Sequence, residues 1–232
     1  MLSKRLKVVA SYLEKPIFFA DIGSDHAYLP CYVCSEYYDA KAIAGEINEG
    51  PFHQAIKTVK DYGLEDRISV RKGNGLEVIE GTAVEQITIA GMGGKLITAI
   101  LNERKHLLHK IDRLILQPNL DAHLIRNWLG ENSYDLIDEE IIEEDGHIYE
   151  ILVAIKCEYP TKYNENINES DYLFGPFLLK KKNEAFKKKW IREEEKISNI
   201  LRQLEKGKEI EIEKIRAFKK RQALIKEVLN DV

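Results

Sequence analysis

The sequence predicts an α/β fold with a mostly parallel sheet, which ends in an antiparallel hairpin and is followed by a helical hairpin. Short apolar segments typical of buried strands alternate with longer helical segments from Ile17 to Lys156. Asp145-Gly146 joins the last two of these strands and is a hairpin signal. Beyond Tyr172, apolar residues recur every three or four positions, which is the helical period. Such a βαβ order places helices on both faces of the sheet and ligands at the carboxyl ends of its strands.

Proline and glycine delimit the elements of the first part. Pro16 stops the first helix, Pro51 suits the start of the third, and Gly63 is a suitable residue to close it. The expected helices are Leu2–Lys15, Leu29–Asp39, Pro51–Tyr62, a segment from Gly94 through about His109, and His123–Glu131. The expected strands are Ile17–Ile22, Lys41–Ile47, Ile68–Lys72, Val84–Ala90, Arg113–Gln117, Tyr134–Glu143 and Ile148–Lys156.

The chain is expected to divide into a sheet domain, residues 1–160, and a helical domain, residues 161–232. Tyr159–Asn168 is polar and is interpreted as a linker or exposed loop. Two helices folded back at Gly207 would bury their apolar stripes as an antiparallel coiled coil. Three basic runs would then lie on the outside of this hairpin: Lys180-Lys181-Lys182, Lys187-Lys188-Lys189 and Lys219-Lys220-Arg221.

Charge is distributed unevenly between these two parts. Residues 1–160 contain 17 Lys+Arg and 26 Asp+Glu, a net charge of −9, whereas residues 161–232 contain 18 and 13, a net charge of +5. A basic C-terminal part on an acidic body suggests that it meets a polyanion. A solvated helix surface is the alternative interpretation of the same composition.

Other features of the composition limit the class of protein. The sequence has no run of about 18 apolar residues, so no transmembrane helix is expected, and a cytoplasmic location follows. The odd number of cysteines, Cys31, Cys34 and Cys157, is evidence against a disulfide framework. Cys31 and Cys34 share a helix face and are expected to pack as small apolar side chains, with no metal site.

The loop after the first strand, Asp21-Ile22-Gly23-Ser24-Asp25-His26, opens a helix and brings backbone close to a ligand. It lacks the second and third glycines of a dinucleotide loop, and Asp25 would repel a phosphate. The loop therefore suits a cationic or neutral nucleoside such as S-adenosylmethionine. Gly23 would permit close approach of the methionine part, and Asp21 would receive its ammonium group. A tight turn capped by Ser24 or Asp25 is the structural alternative.

The next two strand exits also carry candidate ligand contacts. Glu46, followed by Ile47, ends the second strand, where a carboxylate accepts hydrogen bonds from both ribose hydroxyls. NAD enzymes use the same device, so Glu46 indicates an adenosine-containing ligand without specifying which one. Asn74 and Gly75 follow the third strand, where an amide would bond to an adenine edge and glycine would suit a flat ring. A plain turn explains Asn74 and Gly75 about equally well.

The fourth and fifth strand exits are expected to lie beside the reacting atoms. The run Ala90-Gly91-Met92-Gly93-Gly94 would bring backbone amides near a reacting methyl group or a phosphate. Gln117 and Asn119, on either side of Pro118, offer donors and acceptors for a base edge. Each signal is weak alone. Polar or glycine-rich exits on one edge of a sheet are jointly much stronger evidence for a site.

Taken together, these motifs resemble the bacterial tRNA adenine-N1 methyltransferases that modify adenosine 22, the TrmK-like family. The resemblance rests on the run Asp21 to Pro30, Gly45-Glu46, Ala90 to Gly94 and Leu116 to Asn119. It covers the whole chain, because that family also carries a C-terminal coiled coil after a Rossmann-like class I methyltransferase domain. It implies S-adenosylmethionine as methyl donor and tRNA as substrate. Methyltransferases of this fold commonly have an acid where Asn74 stands.

The implied chemistry assigns roles to the first loop. Adenine N1 bears an in-plane lone pair that attacks the sulfonium methyl directly, so catalysis would be mostly alignment and desolvation. Asp25 would stabilise the positive charge that develops on the base. His26 would hydrogen-bond the base or move a proton, or would serve only as a structural partner of the loop. Tyr28 could stack on an extruded base.

Two other classes of function remain compatible with the sequence. One is an NAD(P)-dependent oxidoreductase on a similar sheet, although the missing glycines and Asp25 count against it. The other is a non-catalytic RNA-binding or scaffold protein that uses the helical hairpin as an interaction module. The hairpin stripe also allows either a monomer or a weak dimer.

Overall fold

In the computed structural model, residues 2–158, 168–206 and 211–231 are described. The strands are β1 Phe18–Ile22, β2 Lys41–Glu46, β3 Ile68–Lys72, β4 Gln86–Gly93, β5 Arg113–Leu120, β6 Tyr134–Glu144 and β7 His147–Lys156. They form one sheet in the order β3-β2-β1-β4-β5-β7-β6. Neighbours among β1 to β5 pair in parallel, whereas β7 is antiparallel to both β5 and β6. The predicted α/β fold with its terminal antiparallel hairpin is confirmed.

The strand order creates a crevice between β1 and β4. From β1 the chain proceeds outward to β2 and β3, and from β4 it proceeds in the opposite direction. Loops leaving the two strands therefore diverge, which is the usual place for a ligand in this kind of sheet. The register sets Asp21 of β1 opposite Ala44 of β2 and Thr88 of β4.

Helices cover both faces of the sheet. Adjacent strand residues point to opposite faces, so Phe19 belongs to one hydrophobic cluster and Ala20 to the other. Cys31 and Cys34 are buried in the first of these clusters, as predicted. That face is covered by α1 Lys4–Ser11, α2 Tyr28–Glu36 and α3 Glu49–Asp61, and the other by α4 Gly94–Glu103, α5 Ala122–Glu131 and two 3₁₀ segments, Gly75–Ile79 and Lys105–Lys110.

Three helices end several residues earlier than the sequence predicts, among them α2, which ends at Glu36 rather than Asp39. The first helix ends at Ser11 because the backbone of Glu14 is held by the Gln86 side chain. The Glu14 N–H donates to Gln86 Oε1 at 2.9 Å, and its carbonyl accepts from Gln86 Nε2 at 2.7 Å. The helix after β4 ends at Glu103, since Arg104 leaves the helical region with φ −126° and ψ 46°.

The C-terminal part consists of α6 Glu169–Phe174, α7 Pro176–Lys181, α8 Glu184–Lys206 and α9 Ile212–Asn230. Aromatic side chains of α6 and α8 pack together with Ile141 of β6. Ion pairs Glu193–Arg221 and Glu205–Lys219 join α8 to α9 in opposite directions, so these helices are antiparallel. Coiled-coil packing itself stays a prediction. The turn at Gly207, the boundary at 160/161 and nearly all of the predicted linker lie outside the described residues.

Lysines of two of the three basic runs also contact the sheet, which the sequence does not predict. The Lys181 ammonium donates to the Glu139 carbonyl at 2.7 Å, and Lys189 pairs with the buried carboxylate of Glu150. These side chains fasten the C-terminal helices to the sheet, where acids of β6 and β7 face them. No helix in the described ranges is long and apolar enough to cross a membrane.

Candidate functional site

A cavity of about 1020 Å³ opens at the carboxyl ends of β1, β4 and β5. Residues of α1 and α2 and Tyr149 of β7 complete its wall. The predicted site residues in this wall are Asp21, Gly23, Ser24, Asp25, Ala90, Gly91, Met92 and Asn119. The other predicted site residues lie outside the wall: His26, Glu46, Ile47, Asn74, Gly75, Gly93 and Gln117.

Asp21 is a buried carboxylate with two hydroxyl donors. Ser24 Oγ donates to one of its oxygens at 2.6 Å, and Thr88 Oγ1 donates to the other at 2.7 Å. Burial raises the pKa of Asp21 to about 6, although both hydrogen bonds act in the opposite direction. The carboxyl is thus oriented before any ligand arrives, and its ionised form would gain from a cationic partner.

Glu46 shapes the loop that follows Asp21. Its carboxylate accepts the backbone N–H of Asp25, and the Gly45 carbonyl accepts the N–H groups of Gly23 and Ser24 at 2.9 and 3.0 Å. Burial raises the pKa of Glu46. The end of β2 therefore holds the β1 loop in place and leaves Glu46 adjacent to it, where a ribose hydroxyl would compete with Asp25 for the carboxylate.

The loop itself adopts a left-handed backbone over three consecutive residues that are not glycine. Asp25, His26 and Ala27 have φ values of 40°, 67° and 58°. Such conformations cost of order 1 kcal/mol or more each and cluster at ligand sites. They turn the Asp25 carboxylate outward, where 78% of the side chain is exposed and His26 Nε2 lies 3.2 Å away. The sequence did not reveal this strain, because asparagine and glycine usually mark it.

Gly23 and Met92 meet across the crevice. Gly23 has φ +69°, and any Cβ on it would collide with the terminal methyl of the Met92 side chain. The glycine therefore leaves room for an atom between the exits of β1 and β4, and Met92 partly fills that room. A ligand that approaches Gly23 closely would displace this flexible side chain.

The side chains of Gln117 and Asn119 form hydrogen bonds with the backbone of the Gly91 turn. Gln117 is fully buried, and its Oε1 accepts the Gly91 N–H at 3.0 Å and a guanidinium N–H of Arg5. Asn119 Nδ2 donates to the Gly91 carbonyl at 2.8 Å, and Gln117 Nε2 donates to Asn119 Oδ1 at 3.3 Å. Gln117 thus contacts the loop rather than the open cavity, and Asn119 contacts both.

The third-strand exit lies away from the cavity. The Asn74 amide donates to both carboxylate oxygens of Glu103, at 3.0 and 3.1 Å, and its N–H donates to Glu77 at 2.9 Å. Gly75 has φ +53°, and a Cβ there would lie 3.0 Å from Ile100. An adenine contact to the Asn74 side chain would require its bond to Glu103 to be exchanged.

Sequence reasoning missed Arg5, Thr88 and Tyr149. Arg5 reaches from α1 to Gln117 and lies 5.1 Å from the centre of the Tyr149 ring. These contacts join positions more than a hundred residues apart, and nothing local in the sequence signals them. Thr88 could have been found from the strand register, since it lies directly opposite Asp21. The described residues contain no group of three or more His, Cys, Asp or Glu that could hold a metal.

This sheet order, with one buried acid near the end of β1 and a second as the last residue of β2, defines a class I methyltransferase of the kind that uses S-adenosylmethionine. The family model "tRNA (adenine(22)-N(1))-methyltransferase", TrmK, matches residues 19–227. The chain belongs to this family.

Relatives support this assignment over the full length. The tRNA (adenine(22)-N(1))-methyltransferase of Bacillus subtilis is 47% identical over 231 residues, which cover 99% of this chain and 97% of that protein. The crystal structure of the B. subtilis enzyme has a TM-score of 0.91, and the match covers 99% of both chains at 46% identity. M. capricolum TrmK, solved with S-adenosyl-homocysteine, has a TM-score of 0.86 at 29% identity and covers 99% of this chain and 98% of its own. These findings do not favour the oxidoreductase or scaffold alternatives.

Proposed function

We propose that this chain transfers the methyl group of S-adenosylmethionine to N1 of adenosine 22 in tRNA, in the cytoplasm. The family match carries the choice of reaction and substrate. The observation that carries the site is the meeting of Asp21, Gly23 and the Gly91 turn in one cavity at the β1–β4 crevice. A methyl donor bound there would lie beside a space large enough for an extruded base.

The residues fit the donor in charge and shape. S-adenosylmethionine supplies a sulfonium methyl group as the electrophile. Asp21 and Ser24 would face its ammonium group, and the missing side chain of Gly23 leaves the space that its methionine part needs. Glu46 and Ile47 would bind the ribose, whose hydroxyls would take the place of the Asp25 N–H at the Glu46 carboxylate. Contacts from Asn74 and Gly75 to the adenine would complete the site, after Asn74 exchanges its bond to Glu103.

Catalysis in this proposal is alignment and charge stabilisation. The N1 lone pair of adenine needs no general base, so the protein must fix the base in line with the methyl group. The exposed Asp25 carboxylate would stabilise the cationic product ring, and His26, 3.2 Å from it, would orient the carboxylate or bond to the base. Asn119 would bond to the base edge from the other wall of the cavity.

Gln117 would act through other residues. Since it is fully buried under the Gly91 turn, we assign it a positioning role: it fixes the Ala90–Gly93 backbone at the reacting methyl group. This differs from the base contact that the sequence predicts for it. Arg5 would support the same turn from α1.

Residues 161–232 would form the RNA-binding domain of a monomer or weak dimer. Their net charge of +5, against −9 for residues 1–160, favours the tRNA backbone as partner. Exposed cations of α9 such as Lys219 and Lys220 would contribute to long-range attraction.

Methyl transfer from labelled S-adenosylmethionine to unmodified tRNA tests the function directly. We expect 1-methyladenosine in the nucleoside digest by mass spectrometry, and none from a matched tRNA that carries guanosine at position 22. Methylation of both transcripts would contradict the assigned position. Donor binding without any transfer to tRNA would contradict the assigned substrate.

A further inference from the structure

A second cavity of about 290 Å³ lies where the C-terminal helices meet the sheet. We call it the seam cleft. It is bounded by the end of β5, the start of α5, β7, and one face each of α8 and α9. Asn119 lines both the seam cleft and the larger cavity, so the two spaces adjoin at the exit of β5. The residues that matter below are Asn119, His123, Lys189, Trp190, Lys196 and Arg221.

Cations of α8 and α9 outnumber their local partners in this cleft. Arg221 and Lys196 share one carboxylate, that of Glu193, at 3.2 and 3.8 Å. Lys189 pairs with Glu150 but keeps 31% of its side chain exposed. Both Lys196 and Arg221 remain partly open to solvent, with 67% and 36% of their side chains exposed. A further anion could therefore reach these cations.

Donors in the cleft wall lack acceptors. Among the described residues, Trp190 Nε1 and Arg221 Nε are buried and have no hydrogen-bond partner. Trp190 is only 2% exposed, and an unpaired buried donor costs about 1–3 kcal/mol. The start of α5 also opens here, and its N-cap residue Asp121 makes no side-chain cap. Two residues of the wall thus carry buried N–H groups that are short of acceptors, and a shift of either side chain would be needed to bring its N–H to a ligand.

The titratable groups of the wall report a positive environment. Burial lowers the pKa of His123, and the neighbouring Arg221, Arg126 and Lys189 lower it further, although Asp121 opposes them. Burial lowers the pKa of Lys189 to about 7, and Arg126 and Arg221 add to this, although Glu193 and Glu139 oppose them. Since bringing in an anion would relieve both effects, the cleft suits a negatively charged group.

We propose that the seam cleft binds a phosphodiester of the tRNA strand that carries the target nucleotide, while the base of that nucleotide enters the larger cavity. Arg221 would contact the phosphate with its guanidinium, and Lys196 would add charge. Asn119, at the junction, would lie between phosphate and base. The inference rests on the proposed function. It adds a fixed phosphate contact, and this contact sets how far the RNA strand enters the methylation site.

The test compares two arginines of the same helix. Arg221→Ala removes a cation from the cleft, whereas Arg216→Ala removes one from an exposed position, with 76% of the side chain in solvent and an ion pair to Glu213. Both variants lose one positive charge from α9. Binding of tRNA would be measured at several salt concentrations, together with donor binding by calorimetry, thermal melting and methyl transfer. Arg221→Lys keeps the positive charge but lacks the planar guanidinium, which donates two parallel hydrogen bonds to a phosphate.

We expect Arg221→Ala to weaken tRNA binding about tenfold and to reduce the slope of log K against log salt by about one. Arg216→Ala should change affinity less than about twofold, and Arg221→Lys should recover part of the loss. Equal effects of Arg221→Ala and Arg216→Ala, with both proteins folded and binding donor, would overturn the cleft assignment. A wild-type protein that binds donor but methylates no tRNA would instead contradict the proposed function.

If Arg221→Ala has a lower melting temperature than the wild type, Lys196→Ala gives the same test from the exposed rim of the cleft. Its matched control is Lys214→Ala, because Lys214 has 51% of its side chain exposed and pairs with Glu211. A weaker tRNA affinity for Lys196→Ala than for Lys214→Ala supports the proposal. Identical affinities contradict it.

Discussion

Asp21 connects the ionisation of a single residue to donor binding. Its carboxyl group is buried and keeps two hydroxyl donors, and its pKa is raised to about 6. Between the ordinary aspartate pKa of 3.8 and about 6, the folded protein holds a proton on Asp21 that an unfolded chain would release. The carboxyl therefore stabilises the fold at low pH, and this contribution is lost as pH rises through about 6. Donor binding should have the opposite pH dependence, because only the carboxylate attracts a cation.

We predict that S-adenosylmethionine affinity falls as pH drops below about 6, by up to roughly tenfold per pH unit. Asp21→Asn should bind more weakly at neutral pH and should lose most of this pH dependence, since an amide does not titrate. Calorimetric titrations between pH 5 and 8 measure both. Burial also raises the pKa of Glu46. Any pH dependence of donor affinity that remains in Asp21→Asn is therefore assigned to Glu46, and Glu46→Gln should remove it. An unchanged slope in Asp21→Asn would refute the role of Asp21.

Gln117 allows a prediction that separates positioning from binding. Replacing it by alanine leaves the Gly91 N–H without its acceptor and frees the Arg5 guanidinium. We expect the rate of methyl transfer in single turnovers to fall about tenfold or more, with donor affinity within about threefold of wild type. Gln117→Glu keeps the acceptor oxygens and should retain more activity than Gln117→Ala. Equal loss in rate and donor affinity would instead assign Gln117 to donor binding.

At the scale of elements, a buried ion network joins the C-terminal helices to the sheet. Arg126 of α5 pairs with Glu139 at 2.6 Å and with Glu150, and it donates to the backbone carbonyls of Tyr172 and Leu173 at 3.1 and 3.3 Å. Gly175, between α6 and α7, has φ +88° and lies directly against this network. The turn at Gly175 therefore lies against a network that links α5 and α6 to β6 and β7.

Gly175→Ala should destabilise the protein by roughly 2–4 kcal/mol, because a Cβ would lie 2.6 Å from both Arg126 Nη2 and Glu139. Gly63→Ala is the matched control. That glycine also has a positive φ of 65°, but a Cβ there would meet nothing within 4 Å, so only about 1 kcal/mol of backbone strain is expected. Denaturant unfolding of both variants measures the difference. Equal losses would mean that the network tolerates the intrusion.

The elements were more predictable from sequence than their contacts. Apolar runs and breakers such as Pro16 and Gly63 report local preference, and they located every strand of the sheet. Helix ends were predicted less well where a distant side chain decides them, as Gln86 does for the first helix. The Arg126 network and the Gly91–Gln117 contact depend on tertiary packing, which periodicity does not encode. For the same reason, Lys189 could not be recognised as a partner of the buried Glu150.

At the scale of the whole molecule, the opposite charges of the two parts serve attachment, in addition to the attraction of RNA that we propose for the C-terminal part. Acids of β6 and β7 pair with lysines of α7 and α8, as in Glu143–Lys188 and Glu150–Lys189. Acids of the sheet thus neutralise part of the positive charge of the C-terminal helices. The exposed lysines and arginines that remain on α8 and α9 are those that would attract a polyanion. The apolar contact of Phe174 and Trp190 with Ile141 adds to this attachment.

This attachment determines what deletion of residues 161–232 should do. A chain that ends at residue 160 leaves Ile141 uncovered and removes the Tyr172 and Leu173 carbonyls from Arg126. We therefore expect its melting temperature to fall by roughly 5–10 °C, a loss of a few kcal/mol for a chain of this size. At low temperature it should still bind S-adenosylmethionine within about threefold of the full chain, because the residues that line the larger cavity all precede residue 160. Binding of tRNA should be lost. An unchanged melting temperature would mean that residues 1–160 are an independent domain, and a loss of donor binding in the folded fragment would mean that the C-terminal helices shape the donor site.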